Sequence, residues 1–249
     1  MPRFFVEPSA VYEDRIVLTG DNAHHAAYSL RLAPGDRIKV CDQQNAYLCE
    51  MVCFDSETAT ARILSASPID TEPPFIARLY QALPKGDKLD TVIQKAVECG
   101  AWEIVPFESE RCVVRVKPEA EARKTERRQK IAAEAAKQCG RSLLPSVQPT
   151  VSFEQMLALA SESDVGLFCY EGDGVVALGD VLRGAKDKLM GRGTVSVIVG
   201  SEGGFAPREV QAARDAGLIP VGLGKRILRT ETASGFVLSC LVYVTELQG

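Results

Sequence analysis

Residues 194–205 read TVSVIVGSEGGF, and this stretch decides the fold class. Six mostly apolar, β-branched residues run straight into a loop that holds three glycines. The run is too short for a helix and, with only small Thr194 and Ser196 as polar residues, it reads as a strand buried on both faces. Such strands belong to parallel sheets covered by helices. Gly200, Gly203 and Gly204 supply the backbone freedom and close approach that a loop wrapped round a ligand needs.

Outward from this strand the pattern repeats. VGLFCYE (165–171) and IPVGLG (219–224) read as further buried strands, and ARLYQAL (77–83) and WEIVPF (102–107) as two more. Helical periods lie between them. Leu89, Val92, Ile93, Ala96 and Val97 share one face after Asp87, and Gly100 ends that helix. Pro118–Gln138 is a long helix with a basic outer face of Arg123, Lys124, Arg127, Arg128 and Lys130. Pro207–Ala216 and the apolar Ala233–Leu247 complete the set. Alternation of this kind predicts an α/β domain with a parallel sheet.

The first 70 residues differ. RIVLTG, DRIKVCD, AYLCEMVCFD and ATARILSAS are short strand-like runs separated by turn residues. They predict a small barrel or sandwich, interrupted by a short helix in 21–32 that Asp21 or Asn22 would cap. Pro73-Pro74 ends the best linker in the chain, because adjacent prolines cannot join a central strand. The expected domains are 1–72 and 73–249.

Composition narrows the function. The chain has 249 residues, 46% hydrophobic and 25% charged, with a formal net charge of -4. Nucleic-acid binding must therefore come from a local basic face, not from bulk charge. None of the eight cysteines forms a C-x-x-C pair, and the two histidines, His24 and His25, are adjacent. No metal site is expected, and the thiols read as reduced. The N-terminus lacks a signal-peptide core, and the longest apolar run, GFVLSCLVYV (235–244), is about half a membrane span. A cytoplasmic protein is expected.

Three loops carry the candidate chemistry: Tyr170-Glu171-Gly172, Gly200–Phe205, and KRILRTETA (225–233). Each follows a strand, and open α/β sheets bind ligands beyond the carboxyl ends of their strands. The glycines fit neither G-x-G-x-x-G nor a phosphate loop ending in G-K-[ST]. Ile227 and Leu228 lie between Arg226 and Arg229. Such apolar residues in a loop either belong to the core or cover an apolar group such as an adenine ring. Lys85 and Lys88 flank a helix start suited to anions. Arg111, Arg115 and Arg141 add charge to a segment, 78–141, that is basic on balance. His25 and Arg31 are weaker candidates for RNA contact.

Several motifs occur together in one order: RFFV (3–6), His25 with Leu30-Arg31, LPKGDK (83–88), QKAVECGA (94–101), ERC (110–112), EAAKQCGR (134–141), IVGSEGGF (198–205) and LGKRILRTETA (223–233). With them the chain resembles, from end to end, the 16S ribosomal RNA uridine N3-methyltransferases of the SPOUT superfamily. The resemblance implies an N-terminal PUA-like β-barrel and a C-terminal SPOUT domain with a deep trefoil knot. It implies a homodimer and a target at uridine 1498 of 16S ribosomal RNA in the small subunit. It also implies S-adenosylmethionine held by Tyr170, Val199, Gly200, Glu202, Gly203, Gly204, Leu223, Gly224, Ile227, Leu228, Thr230 and Ala233. The RNA contacts would be His25, Arg31, Lys85, Lys88, Arg111, Arg115, Arg141 and Arg226. Relatives often carry proline where this chain has Ser201, and valine where it has Ser29.

Methylating N3 of uracil requires loss of a weakly acidic imide proton. Arg229 is the expected stabiliser of charge on the uracil carbonyls. Glu202 or Glu231 could be a general base if burial made its carboxylate more basic, and Glu202 stands second to Arg229 as a catalytic residue. Glu202 or Glu231 could instead orient an arginine. N3 lies on the pairing edge, so the target base must be unpaired or flipped. The competing readings are another SPOUT enzyme acting on transfer RNA or a ribose oxygen, and a catalytically silent RNA-binding assembly factor.

Overall fold

The computed structural model describes residues 1–248, which form two compact units: 1–72 with 136–144, and 73–135 with 145 onward. The first unit opens with β1 (Arg3–Phe5), a single 3-10 turn and β2 (Arg15–Thr19). Helix α1 (Gly20–His24) runs on into a π-helical turn (His25–Ser29). Strands β3 (Arg37–Cys41), β4 (Asn45–Phe54) and β5 (Thr58–Pro68) follow. The sheet order is β1-β3-β4-β5-β2, antiparallel except for β1 beside β3. β1 and β2 are its two edges, so the expected barrel is an open half-barrel. Alternation sets the core: Ile16 and Leu18 of β2 and Ile38 and Val40 of β3 point inward with Phe4 and Met51. Each such side chain, fully buried, contributes about 1.5–3 kcal/mol.

Neither Asp21 nor Asn22 caps α1. Thr19 holds the N-cap position without a side-chain bond, and the Asn22 amide instead donates to the Phe5 carbonyl at 2.7 Å.

The second unit is a parallel sheet with helices. Its elements in chain order are β6 (Ile76–Ala82), α2 (Lys88–Glu98), β7 (Ala101–Glu108), α3 (Pro118–Cys139), β8 (Ser146–Val147), β9 (Val151–Ser152) and α4 (Phe153–Ala160). Then come β10 (Val165–Cys169), β11 (Val176–Ala177), α5 (Leu178–Met190), β12 (Thr194–Val199), α6 (Pro207–Asp215), β13 (Ile219–Gly222) and α7 (Thr230–Val242). A π-helical turn, Tyr243–Leu247, extends α7. The last turn of α3 groups with the first unit.

The strand order is β11-β13-β10-β12-β6-β7-β8, with β9 beside β7 and every pairing parallel. β10 is buried along its whole length, as is β12 after Thr194, which explains their unbroken apolar text. The order matters for function. The chain leaves β6 for β7 at one side, then returns with β12 seated between β10 and β6. The loops after β10, β12 and β13 thus leave neighbouring strands at their carboxyl ends, where such sheets hold ligands.

Candidate functional site

The loop after β12 is a tight turn. Gly204 N–H donates to the Ser201 carbonyl at 2.9 Å, and Gly204 sits at φ +62°, a conformation that glycine adopts without strain. A Cβ on Gly204 would lie 2.9 Å from Glu171 Oε1. The turn is anchored by Phe205, whose ring packs 4.3 Å from that of Phe168 on β10.

The loop after β13 leads into α7 through Arg229, the extended N-cap residue. Thr230 follows, buried, and its hydroxyl donates to the Gly200 carbonyl at 2.6 Å. The same oxygen accepts from Gln81 Nε2 at 2.8 Å. The ends of β6 and β12 and the start of α7 are therefore joined at one buried point.

These loops enclose a cavity of about 470 Å³, a size usual for small-molecule sites. Tyr170, Val199, Gly200, Glu202, Gly204, Leu223, Gly224, Ile227, Leu228, Thr230 and Ala233 all line it, with Arg226 and Arg229. Gly203 does not. A Cβ on Gly203 would meet Arg111, 3.0 Å from its Cβ and 3.2 Å from its carbonyl oxygen. Ile227 is 85% exposed, so it is not a core residue. Ser201, Lys225 and Cys169, which carry no ligand role in the motifs above, also line the cavity, and Gln81 lies beneath it. Gln81 had a visible signal: it is the one uncharged polar residue in an otherwise apolar strand end.

The electrostatics separate the charged groups into two sets. Glu202 accepts from Lys88 Nζ at 2.7 Å and from the Lys85 amide at 3.2 Å. Lys88 also lies 3.6 Å from Glu231. Burial pushes the Glu202 carboxyl up, but the bonds from Lys88 and the backbone amides outweigh it and hold the group below its ordinary range. The condition for a buried, more basic Glu202 is not met, because its negative charge is matched by Lys88. Arg226 and Arg229 have no carboxylate partner among the described residues, and both are exposed at the cavity. Burial pushes the Cys169 thiol up to about 12. It is therefore protonated near neutrality and is no thiolate nucleophile.

The other cations have varied fates. Lys85 is exposed, and Arg111 donates to the Gly203 carbonyl at 3.1 Å. Arg115 pairs with Glu108 at 3.1 Å. On α3, Arg127 pairs with Asp90, Arg128 is buried against Glu121, and Lys130 pairs with Glu126. The anticipated basic face is thus largely matched by acids. In the first unit, His25 packs edge-on to Phe4, and Arg31 is exposed at φ 52°. Arg141 is buried at 5% exposure and bonds Glu72 through Nε and a terminal nitrogen, at 3.0 and 2.5 Å. It cannot reach a phosphate from there. Among the described residues no group of three or more potential ligands could hold a metal ion. No helix there is long and apolar enough to cross a membrane.

The second unit is a parallel α/β sheet with a cavity beyond its carboxyl ends and the first is a half-barrel, and the family models matching the chain are those of an RNA methyltransferase with a PUA domain. Residues 71–242 match the RNA methyltransferase domain and residues 18–64 the RNA methyltransferase PUA domain. The chain is 32% identical to Ribosomal RNA small subunit methyltransferase E of Bacillus subtilis, over 99% of this chain and 98% of that one. It belongs to the ribosomal RNA small subunit methyltransferase E family. The crystal structure of the Neisseria gonorrhoeae enzyme of that name, bound to S-adenosyl methionine, is 31% identical over 98% of each chain, with a TM-score of 0.84. A Legionella pneumophila protein solved with bound cofactor SAM superposes with the same TM-score at 26% identity, over 98% of this chain and 97% of its own.

Proposed function

We propose that this chain transfers the methyl group of S-adenosylmethionine to N3 of a single uridine, position 1498, in 16S ribosomal RNA of the small subunit. The observation that carries the reading is the cavity at the carboxyl ends of β10, β12 and β13, with exposed Arg229, which has no acid partner among the described residues, at its edge. The cavity suits the cofactor. Val199, Leu223 and Leu228 give it an apolar wall. Bound there, S-adenosylmethionine supplies an electrophilic methyl group on a sulfonium.

The chain's residues do the rest. Holding the base and the methyl in line is a large part of the work. As the imide proton is lost, charge grows on the uracil carbonyl oxygens, and the Arg229 guanidinium is free to stabilise it. Glu202 organises Lys88 and the start of α2 and is not the base. Lys85, Arg111 and Arg226 are the exposed cations in this unit that would hold RNA phosphates. In the first unit Arg31 would do the same. The target uridine must leave any pair to present N3.

A homodimer and a knotted backbone belong to the same proposal. The dimer is supported by apolar side chains exposed along α7 and its extension, Phe236, Tyr243 and Leu247. The knot is supported by the seating of β12 between β10 and β6 before the chain returns as α7.

The test uses small ribosomal subunits from cells lacking this gene, incubated with the protein and labelled S-adenosylmethionine. Nucleoside mass spectrometry should find the label as N3-methyluridine at one position. Label on another base or on a ribose, or none at all, would overturn the reading.

A further inference from the structure

Glu209 is a buried carboxylate with no role in the chemistry proposed above. It is 5% exposed, at the third position of α6. The arginine beside it, Arg208, turns instead to Glu110 Oε2 at 2.7 Å. Both oxygens of Glu209 are taken by backbone amides. Oε2 accepts from Ala206 N–H at 2.8 Å, at the start of its own helix. Oε1 accepts from Glu110 N–H at 2.8 Å, in the loop after β7. A carboxylate that only caps a helix needs one oxygen and can stay in solvent. Burying one is costly unless its acceptor sites are filled. Here the second oxygen is filled by a segment 99 residues away, so this carboxylate serves more than α6.

The two amides belong to two loops that the reaction must keep aligned. Ala206 follows Phe205, the anchor of the glycine turn. Glu110 precedes Arg111, an exposed cation whose Nη1 donates to the Gly203 carbonyl at 3.1 Å. The contacts close a ring that runs from Glu209 through Glu110, Arg111 and Gly203 and back through Phe205 and Ala206. Arg111 commits one end of its guanidinium to this ring and keeps the rest of the fork for a phosphate. We propose that Glu209 is a positioning residue: it fixes Arg111 relative to the glycine loop, so that RNA held by a phosphate at Arg111 presents its target base in line with the methyl group. The inference rests on the reading of Arg111 as an RNA contact. Glu209 touches neither substrate and acts through Arg111. In-line transfer is sensitive to misplacement of about an ångström, so a loosened ring should cost rate.

The test is a double-mutant cycle on the full chain. Methyl transfer to small ribosomal subunits lacking the modification is measured for wild type, Glu209→Gln, Arg111→Ala and the pair. Glutamine keeps one acceptor and turns an NH2 group toward the other amide, so it holds one loop and releases the other. Each single variant should lower kcat/KM for subunits about tenfold, and the pair should also lose about tenfold rather than about a hundredfold, because both changes remove the same alignment. Kd for S-adenosylmethionine, read by calorimetry, should stay within about threefold of wild type throughout. Losses that multiply in the pair, or a loss of cofactor affinity as large as the loss of kcat/KM, would make Glu209 a brace for the fold alone and overturn the proposal. Glu209→Asp covers the case in which the glutamine variant melts too low to assay. It keeps both oxygens and can still cap α6, but it is one methylene too short to hold Glu110 as well. It should show the same pattern, and wild-type rates in it would overturn the proposal. If Arg111→Ala alone leaves kcat/KM unchanged, the RNA role of Arg111 fails and this inference with it. If the wild type transfers no methyl group to subunits, the functional reading itself is what fails.

Discussion

Thr230 donates its hydroxyl proton to the carbonyl of Gly200 at 2.6 Å, tying the first turn of α7 to the first residue of the glycine loop. Gln81 on β6 completes the clasp by donating from Nε2 to the Thr230 hydroxyl oxygen at 2.8 Å. Three elements far apart in sequence meet at this point, and two of them carry cavity walls. Thr230→Val keeps the shape of the side chain and removes both bonds. It leaves the buried Gln81 amide and the Gly200 carbonyl short of partners, at a cost of about 1–3 kcal/mol. Urea unfolding should therefore shift to lower midpoint in Thr230→Val and stay near wild type in Thr230→Ser, which retains the hydroxyl. Equal midpoints for valine and wild type would remove the clasp from any account of the fold.

The glycines of the loop are not equivalent. Alanine at Gly204 must adopt a left-handed backbone and place its Cβ 2.9 Å from the Glu171 carboxylate. Alanine at Gly203 presses on Arg111 instead, and neither residue lines the cavity. Cofactor affinity, read by calorimetry, should fall about tenfold or more in Gly204→Ala, given strain on the order of 1–2 kcal/mol. Gly203→Ala should weaken it less. The reverse order would mean that the turn rearranges when ligand binds.

Much of this was legible in the text because apolar strands and glycine loops announce themselves locally. β10, β12 and β13 were found from unbroken apolar runs, and the loops that follow them converge on the cavity. Two helices escaped. α4 carries a capping box, with Ser152 and Gln155 bonded reciprocally, which the text displays as S-x-x-Q before an apolar run. α5 hides its period behind Gly179 and Gly184 within the helix. Partnership between charges was the least legible property. Arg141 and Glu72 are 69 residues apart, and no local pattern reveals that one neutralises the other.

That buried ion pair makes its own prediction. Glu72 also accepts from the amides of Ser142 and Leu143, so the carboxylate is committed to its site. Arg141→Ala strands it there, at a cost of about 3 kcal/mol. Thermal unfolding should show the loss, while RNA affinity measured well below the melting temperature should change little. A large fall in RNA affinity with unaltered stability would return Arg141 to the RNA-binding set.

Arg229 is exposed and has no acid partner among the described residues, so its charge is available to the reacting base. Its backbone, not its side chain, starts α7, with the Arg229 carbonyl accepting from Thr232 and Ala233 at 2.9 Å. Removing the side chain should therefore spare the fold. Arg229→Ala is expected to reduce turnover by about 100-fold or more, while Kd for S-adenosylmethionine stays within roughly threefold. Parallel losses in both measurements would instead make Arg229 a cofactor ligand.

Glu202 decides how the reaction should depend on pH. Its folded pKa is lowered, since the bonds from Lys88 and the loop amides outweigh burial. A carboxyl with a depressed folded pKa contributes its stabilisation above the unfolded value, and loses it as pH falls through the folded one. The Lys88–Glu202 pair should accordingly persist above about pH 5, and Glu202 should not titrate in the range where the enzyme is assayed. The rise of kcat/KM with pH then belongs to the uracil imide proton. Glu202→Gln should lower the rate by loosening Lys88 and the loop, yet leave the shape of the pH profile between about pH 6 and 9 as in wild type. An acid limb present in wild type and lost in the glutamine variant would identify Glu202 as the base after all, and the arginine-led account of N3 activation would have to give way.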